Sequence, residues 1–174
     1  MQKAPQMPSR LSQSFTILRG LLYSAAFIWL WTWIGLWVRS YDARLTVTLP
    51  LWLRPIGFVL AFVGALLAAA CILTFVTRGR GTPAPFDPPR EFVVSGPYRL
   101  VRNPMYVGAA AVILGAAFIL SSPSLVGLAL AFLLIMHLFV ILHEEPTLAA
   151  KFGAGYEQYR SKVHRWIIRK PTSV

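Results

Sequence analysis

Long uncharged stretches alternate with short polar clusters along this chain, and their spacing predicts its elements. Three intervals lack Asp, Glu, Lys and Arg: Gly20–Val38, Pro55–Thr77, and the 41 residues from Asn103 to His143. One bilayer crossing needs about 20 apolar residues, so the first two intervals fit one span each and the third fits two. The third breaks at Ser121-Ser122-Pro123-Ser124, where three hydroxyls and a proline suit a tight interfacial turn. Four transmembrane helices are therefore predicted over 18–38, 55–77, 105–120 and 124–142, the third being short.

Within the spans the pattern becomes finer. Gly57, Ala61, Gly64 and Ala68 form one stripe on the second span, and Gly108, Ala111 and Gly115 form another on the third. Small residues on one face let helix backbones approach closely, within a chain or between chains, so oligomeric state stays open. Trp29, Trp31, Trp33 and Trp37 crowd the outer half of the first span and read as an aromatic belt at the headgroup boundary. Between spans two and three, Gly79–Pro104 holds six prolines and is read as a long loop, with Glu91-Phe92-Val93-Val94 briefly extended. After the fourth span, Leu148, Phe152, Tyr156, Tyr159 and Val163 share one helical face, which predicts an interfacial helix over about 145–163.

The expected fold class is thus all-α: a polytopic membrane helical bundle with a cytoplasmic interfacial C-terminal helix. It forms one integral-membrane domain over 1–174. Its parts are a polar N-terminal segment (1–15), the first two spans (18–77), a cytoplasmic Pro-rich loop (78–104), a helical hairpin (105–142) and a cytoplasmic cap (143–174).

Composition agrees, with 56% of residues apolar and 13% charged. The net charge of +11 would suggest nucleic acid in a soluble protein, but its distribution points to membrane lipids. With the N-terminus inside, only Arg39, Arg44 and Arg54 of the 17 basic residues lie outside. This positive-inside pattern puts both termini in the cytoplasm. The setting expected is a bacterial or archaeal plasma membrane. No nucleic-acid partner is expected, and no cleavable signal sequence is read. The lone Cys71 falls mid-span and offers neither a disulfide nor a cysteine metal site.

A helical hairpin over 105–142 would bring two polar clusters to one membrane face. The first runs from Gly96-Pro97-Tyr98 to Arg102-Asn103-Pro104-Met105-Tyr106-Val107-Gly108; the second is His143-Glu144-Glu145 with Phe152-Gly153 and Tyr156-Glu157-Gln158-Tyr159. Glu144 and Glu145 are two of only six acidic residues. Ionisable groups beside apolar surroundings are costly and are usually paired or functional. A helix end followed by Pro146 in the next helix's first turn explains them equally well, and cation binding or pairing with Arg99 or Arg102 both stay open. Asn103 suits an N-cap and Pro104 a first helical turn, whose free amides can equally hold a carboxylate or phosphate. Arg99 and Arg102 can anchor to lipid phosphates. Tyr98 and Tyr106 read either as belt aromatics or as rings stacking on a planar ligand. His137 and His143, six apart, do not share a face, and no metal site is expected.

Together the two clusters resemble the isoprenylcysteine carboxyl methyltransferase and phospholipid methyltransferase superfamily over about residues 90–166. The resemblance implies an integral-membrane enzyme that uses S-adenosylmethionine, held between the final hairpin and the C-terminal segment. A lipophilic small molecule or lipid would enter sideways from the bilayer. The site residues so expected are Glu144, Glu145 and His143 for catalysis. Around the cofactor they are Tyr98, Arg102, Asn103, Pro104, Tyr106, Gly108, Glu144, Glu145, Tyr156 and Tyr159. Two departures stand out. The family's Arg-His-Pro reads Arg102-Asn103-Pro104, and no arginine occupies Leu138-Phe139-Val140-Ile141-Leu142 before the acidic pair. The alternative is a catalytically silent membrane scaffold retaining the fold. A transporter fits poorly, because four spans offer little room and mid-membrane ionisable residues are nearly absent.

Overall fold

A computed structural model describes residues 10–75, 77 and 94–168. Among these every regular element is helical. Helix α1 (Arg10–Arg39) begins inside the segment read as polar, and a 3₁₀ turn over Ser40–Arg44 follows it. Helix α2 (Arg54–Thr74) carries Pro55 in its first turn, where the missing N–H has no intrahelical partner to lose. A short 3₁₀ turn (Gly96–Arg99) then leads to α3 (Pro104–Ile119) and α4 (Pro123–Phe139). The chain continues through a single π turn (Val140–Glu144) into α5 (Glu145–Phe152) and α6 (Ala154–Lys162). Most of the Pro-rich loop, with Glu91-Phe92-Val93, lies outside the described residues, as do 1–9 and 169–174.

Among the described residues, three helical stretches are long and apolar enough to cross a membrane: Leu21–Arg44, Leu51–Thr74 and Pro123–Phe152. Helix α3 is apolar but has only 16 residues. It rises about 24 Å, short of a hydrocarbon core of about 30 Å. The bundle is therefore all-α and membrane-type, with three full-length spans and one shorter apolar helix.

Helix α2 packs most extensively on α3, and the small-residue stripes are the reason. A Cβ added at Gly64 would stand 2.6 Å from the Gly108 carbonyl oxygen, and one at Gly115 would stand 2.7 Å from that of Gly57. Both stripes serve one intramolecular interface at backbone contact, where van der Waals packing replaces the missing hydrophobic drive. Helix α1 docks elsewhere, through Trp31, whose ring meets Phe132 edge-on at 4.7 Å. Trp31 is thus not a belt residue as expected. Helical rotation turns it about 160° away from Trp29, whereas Trp33 and Trp37 stay near Trp29 on the exposed face.

At the far end of the hairpin, the Ser122 hydroxyl accepts from Leu125 N at 3.3 Å and caps α4. Asp42, from the turn after α1, accepts from Ser124 N at 3.0 Å and ties that turn to the same helix start. The single helix expected over 145–163 is instead broken at Gly153, whose φ of 51° ends α5 because side-chain-bearing residues resist that conformation. The apolar face survives the break: Tyr156, Tyr159 and Val163 stay buried against Leu148, Ala149 and Phe152.

These contacts predict opposite outcomes for two alanine substitutions in thermal denaturation of the detergent-solubilised protein. Gly64→Ala forces backbones apart and should destabilise by about 1–3 kcal/mol. Gly127→Ala, which meets nothing within 4 Å, should be neutral or slightly stabilising.

Candidate functional site

The hairpin does bring the two polar clusters together. Arg102 Nη1 lies 3.1 Å from Glu145 Oε1, joining the entry of α3 to the exit of α4. A third segment completes the junction. Beyond α6 the chain turns extended at Val163 and runs back along residues 101–103. There Arg102 N donates to the His164 carbonyl at 2.9 Å, and Asn103 N donates to that of Arg165 at 3.2 Å. This strap delivers Arg165, which grips Glu145 in bidentate fashion, Nε to Oε1 at 2.6 Å and Nη2 to Oε2 at 3.0 Å. Paired forks of this kind are strong and directional. One carboxylate thus sits between two guanidinium groups, leaving the trio with a net positive charge.

Arg102 also donates to the Tyr156 hydroxyl at 3.2 Å, while its own buried Nε finds no hydrogen-bond partner among the described residues. Burial, with the nearby Glu145 charge adding to it, raises the Tyr156 phenol above its ordinary value, so it stays neutral. The hydrogen bond to Glu145 likewise raises Arg165.

Glu144 has a different environment. Tyr106 Oη donates to its Oε1 at 2.6 Å, a short charge-assisted bond from the first turn of α3. The π turn over Val140–Glu144 sits immediately before α5. Its extra residue per turn rotates the helix beyond it relative to α4, and adjacent helical residues point about 100° apart, so the two glutamates face different partners.

Other expected site residues are placed differently. Tyr98 packs under α2, its ring edge-on to Phe75 at 5.2 Å, and burial pushes its phenol up. Tyr159 donates to the Tyr98 carbonyl at 2.6 Å and so holds the turn before α3. Gly108 belongs to the α2–α3 contact, where a side chain would collide with Gly64. Asn103 occupies the N-cap position, but its side chain makes no capping bond; Nδ2 donates instead to the Arg165 carbonyl at 3.3 Å. Pro104 is buried at the helix start. His143 is exposed, its ring lying against Phe139. The junction therefore gathers Arg102, Tyr106, Glu144, Glu145 and Tyr156 of the predicted set. It adds Arg165, which sequence reading missed because 20 residues and a helix break separate it from Glu145.

In unfolding of the solubilised full-length chain, Glu145→Ala and Arg165→Ala should each cost about 1–3 kcal/mol. Their double-mutant coupling should reach about 1 kcal/mol. Strict additivity would mean that the ion pair does not fasten the strap.

Comparisons with known proteins bear on this junction. No curated protein and no solved structure matches the chain. A family model described as phospholipid methyltransferase matches residues 52–155, more than half of the chain, from the start of α2 to the start of α6. The matched stretch contains the whole hairpin and both glutamates, and on that match the chain belongs to the phospholipid methyltransferase family.

Proposed function

We propose that this protein is a membrane-embedded, S-adenosylmethionine-dependent methyltransferase acting on a small or lipid-like acceptor, with its reaction centre at the cytoplasmic mouth of the α3–α4 hairpin. The observation that carries the proposal is the asymmetry of the two glutamates. Glu145 is held by two arginines, whereas among the described residues Glu144 accepts a hydrogen bond from Tyr106 on Oε1 alone.

The groups at the junction fit the cofactor's chemistry. A carboxylate needs cationic donors, and Arg102 has a buried Nε with no partner among the described residues. The α3 N-terminus adds backbone amides that the Asn103 side chain leaves uncapped. A ribose diol or an amino group needs an acceptor, which Glu144 offers. S-adenosylmethionine supplies an electrophilic methyl group, whose bond to sulfur breaks as a bond to the acceptor's lone pair forms. The chain's own part is positional: in-line displacement depends on holding the reacting atoms near contact distance. The Tyr106 hydroxyl fixes the Glu144 rotamer, and the Glu145–arginine trio fixes the strap that closes the junction. When the acceptor is an ammonium, Glu144 takes its proton before transfer; a carboxylate or thiolate acceptor needs no base.

Calorimetric titration of the purified full-length protein with S-adenosylmethionine tests this reading. Wild type should bind, and Glu144→Gln should weaken binding about tenfold or more, as expected for a charged hydrogen bond. No binding by wild type would favour the scaffold role instead, and an unchanged affinity in Glu144→Gln would remove that residue from the cofactor site.

A further inference from the structure

An apolar groove of about 570 Å³ runs over the α3–α4 seam, separate from the ion-pair junction. Val107 and Leu114 of α3 and Leu130 and Leu134 of α4 line it, and Leu130 and Leu134 are largely exposed, so it opens sideways. Among the described residues, the side-chain nitrogens in its lining belong to His137 and Trp166. These two are bonded to each other: Trp166 Nε1 donates to His137 Nδ1 at 2.9 Å. An indole N–H can donate only to an unprotonated nitrogen, so the neutral imidazole carries its proton on Nε2. Trp166 thus fixes His137 as a hydrogen-bond donor at one end of an otherwise apolar channel.

That end adjoins the reaction centre. Trp166 follows Arg165, the residue clamping Glu145, and packs against the cluster containing Tyr106 and Val140. Glu144 lies seven positions beyond His137, about 10 Å along the helix. An amphiphile whose chain lies in the groove and whose head reaches Glu144 carries the atoms joining the two past His137.

We infer that His137 is a specificity-determining residue. It donates from Nε2 to an oxygen at the neck of the acceptor amphiphile, whose chain lies in the α3–α4 groove. The acceptor class is then an amphiphile with a carbonyl oxygen about 10 Å from its methyl-accepting atom. This rests on the proposed methyltransferase reading for the chemistry at Glu144, but the groove's occupancy can be measured without turnover.

The experiment is lipid competition read by native mass spectrometry on the full-length protein, using diacyl- and dialkyl-phosphatidylethanolamine of equal chain length. The two differ only in the neck carbonyls. Wild type should retain the diacyl lipid about fivefold over the dialkyl lipid, the usual worth of one hydrogen bond. His137→Leu should bring the ratio close to one. His137→Gln, which can still accept from Trp166 and donate onward, should restore most of the preference. Equal retention by wild type, or a preference that persists in His137→Leu, would overturn the assignment. Cofactor titration of the same samples monitors folding and separates the two readings, since its failure would refute the methyltransferase proposal while the lipid ratio still reports on His137.

Discussion

A carboxylate at the edge of a membrane must find compensating charge within the protein, and Glu145 finds it twice. Its side chain is 12% exposed and takes Arg102 from the entry of α3 and Arg165 from the C-terminal strap. Removing either cation would leave a largely desolvated charge short of a partner, which is why buried ion pairs are costly to break even when their net contribution is small. The consequence is topological. Three segments far apart in sequence must meet at one point, and the mouth of the hairpin is closed by the segment beyond α6.

The arrangement also divides labour between adjacent glutamates. Glu145 fastens; Glu144, among the described residues, accepts from Tyr106 on Oε1 alone, at the boundary between polar junction and apolar bundle. A π turn ends at Glu144, so α5 continues from it in a shifted register. The strap contributes on both sides of that boundary. Arg165 reaches into the junction, and the next residue, Trp166, reaches into the groove and orients His137. Consecutive residues of one extended segment thus contact both the ion-pair junction and the apolar groove.

Beneath the junction, the α2–α3 interface supplies rigidity. Glycines from both helices meet at backbone contact, so a side chain added at Gly57, Gly64, Gly108 or Gly115 would collide with the facing helix. The Gly96–Arg99 turn is pinned from both sides, by Tyr98 under α2 and by Tyr159 on its carbonyl. Two residues expected around a ligand, Tyr98 and Gly108, make these packing contacts.

Span positions, the hairpin turn at Ser121–Ser124 and the existence of the small-residue stripes were legible in the sequence, because each is a one-dimensional pattern; that the two stripes meet each other was decided by the tertiary structure. Hydrophobic run length, a proline with hydroxyls and a helical period need no knowledge of distant residues. The meeting of Arg102 with Glu145 was legible one step further, since a hairpin returns its ends to the same face. What only the tertiary structure decided is the identity of the partners: Arg165 on Glu145, Tyr106 on Glu144, Trp166 on His137, and Asn103 turned from a cap to a strap contact. Those pairings depend on the direction the chain takes after Gly153 and on the rotation added by the π turn. A single backbone torsion or one extra residue per turn redirects every side chain beyond it, and no local pattern in the amino-acid sequence records that angle.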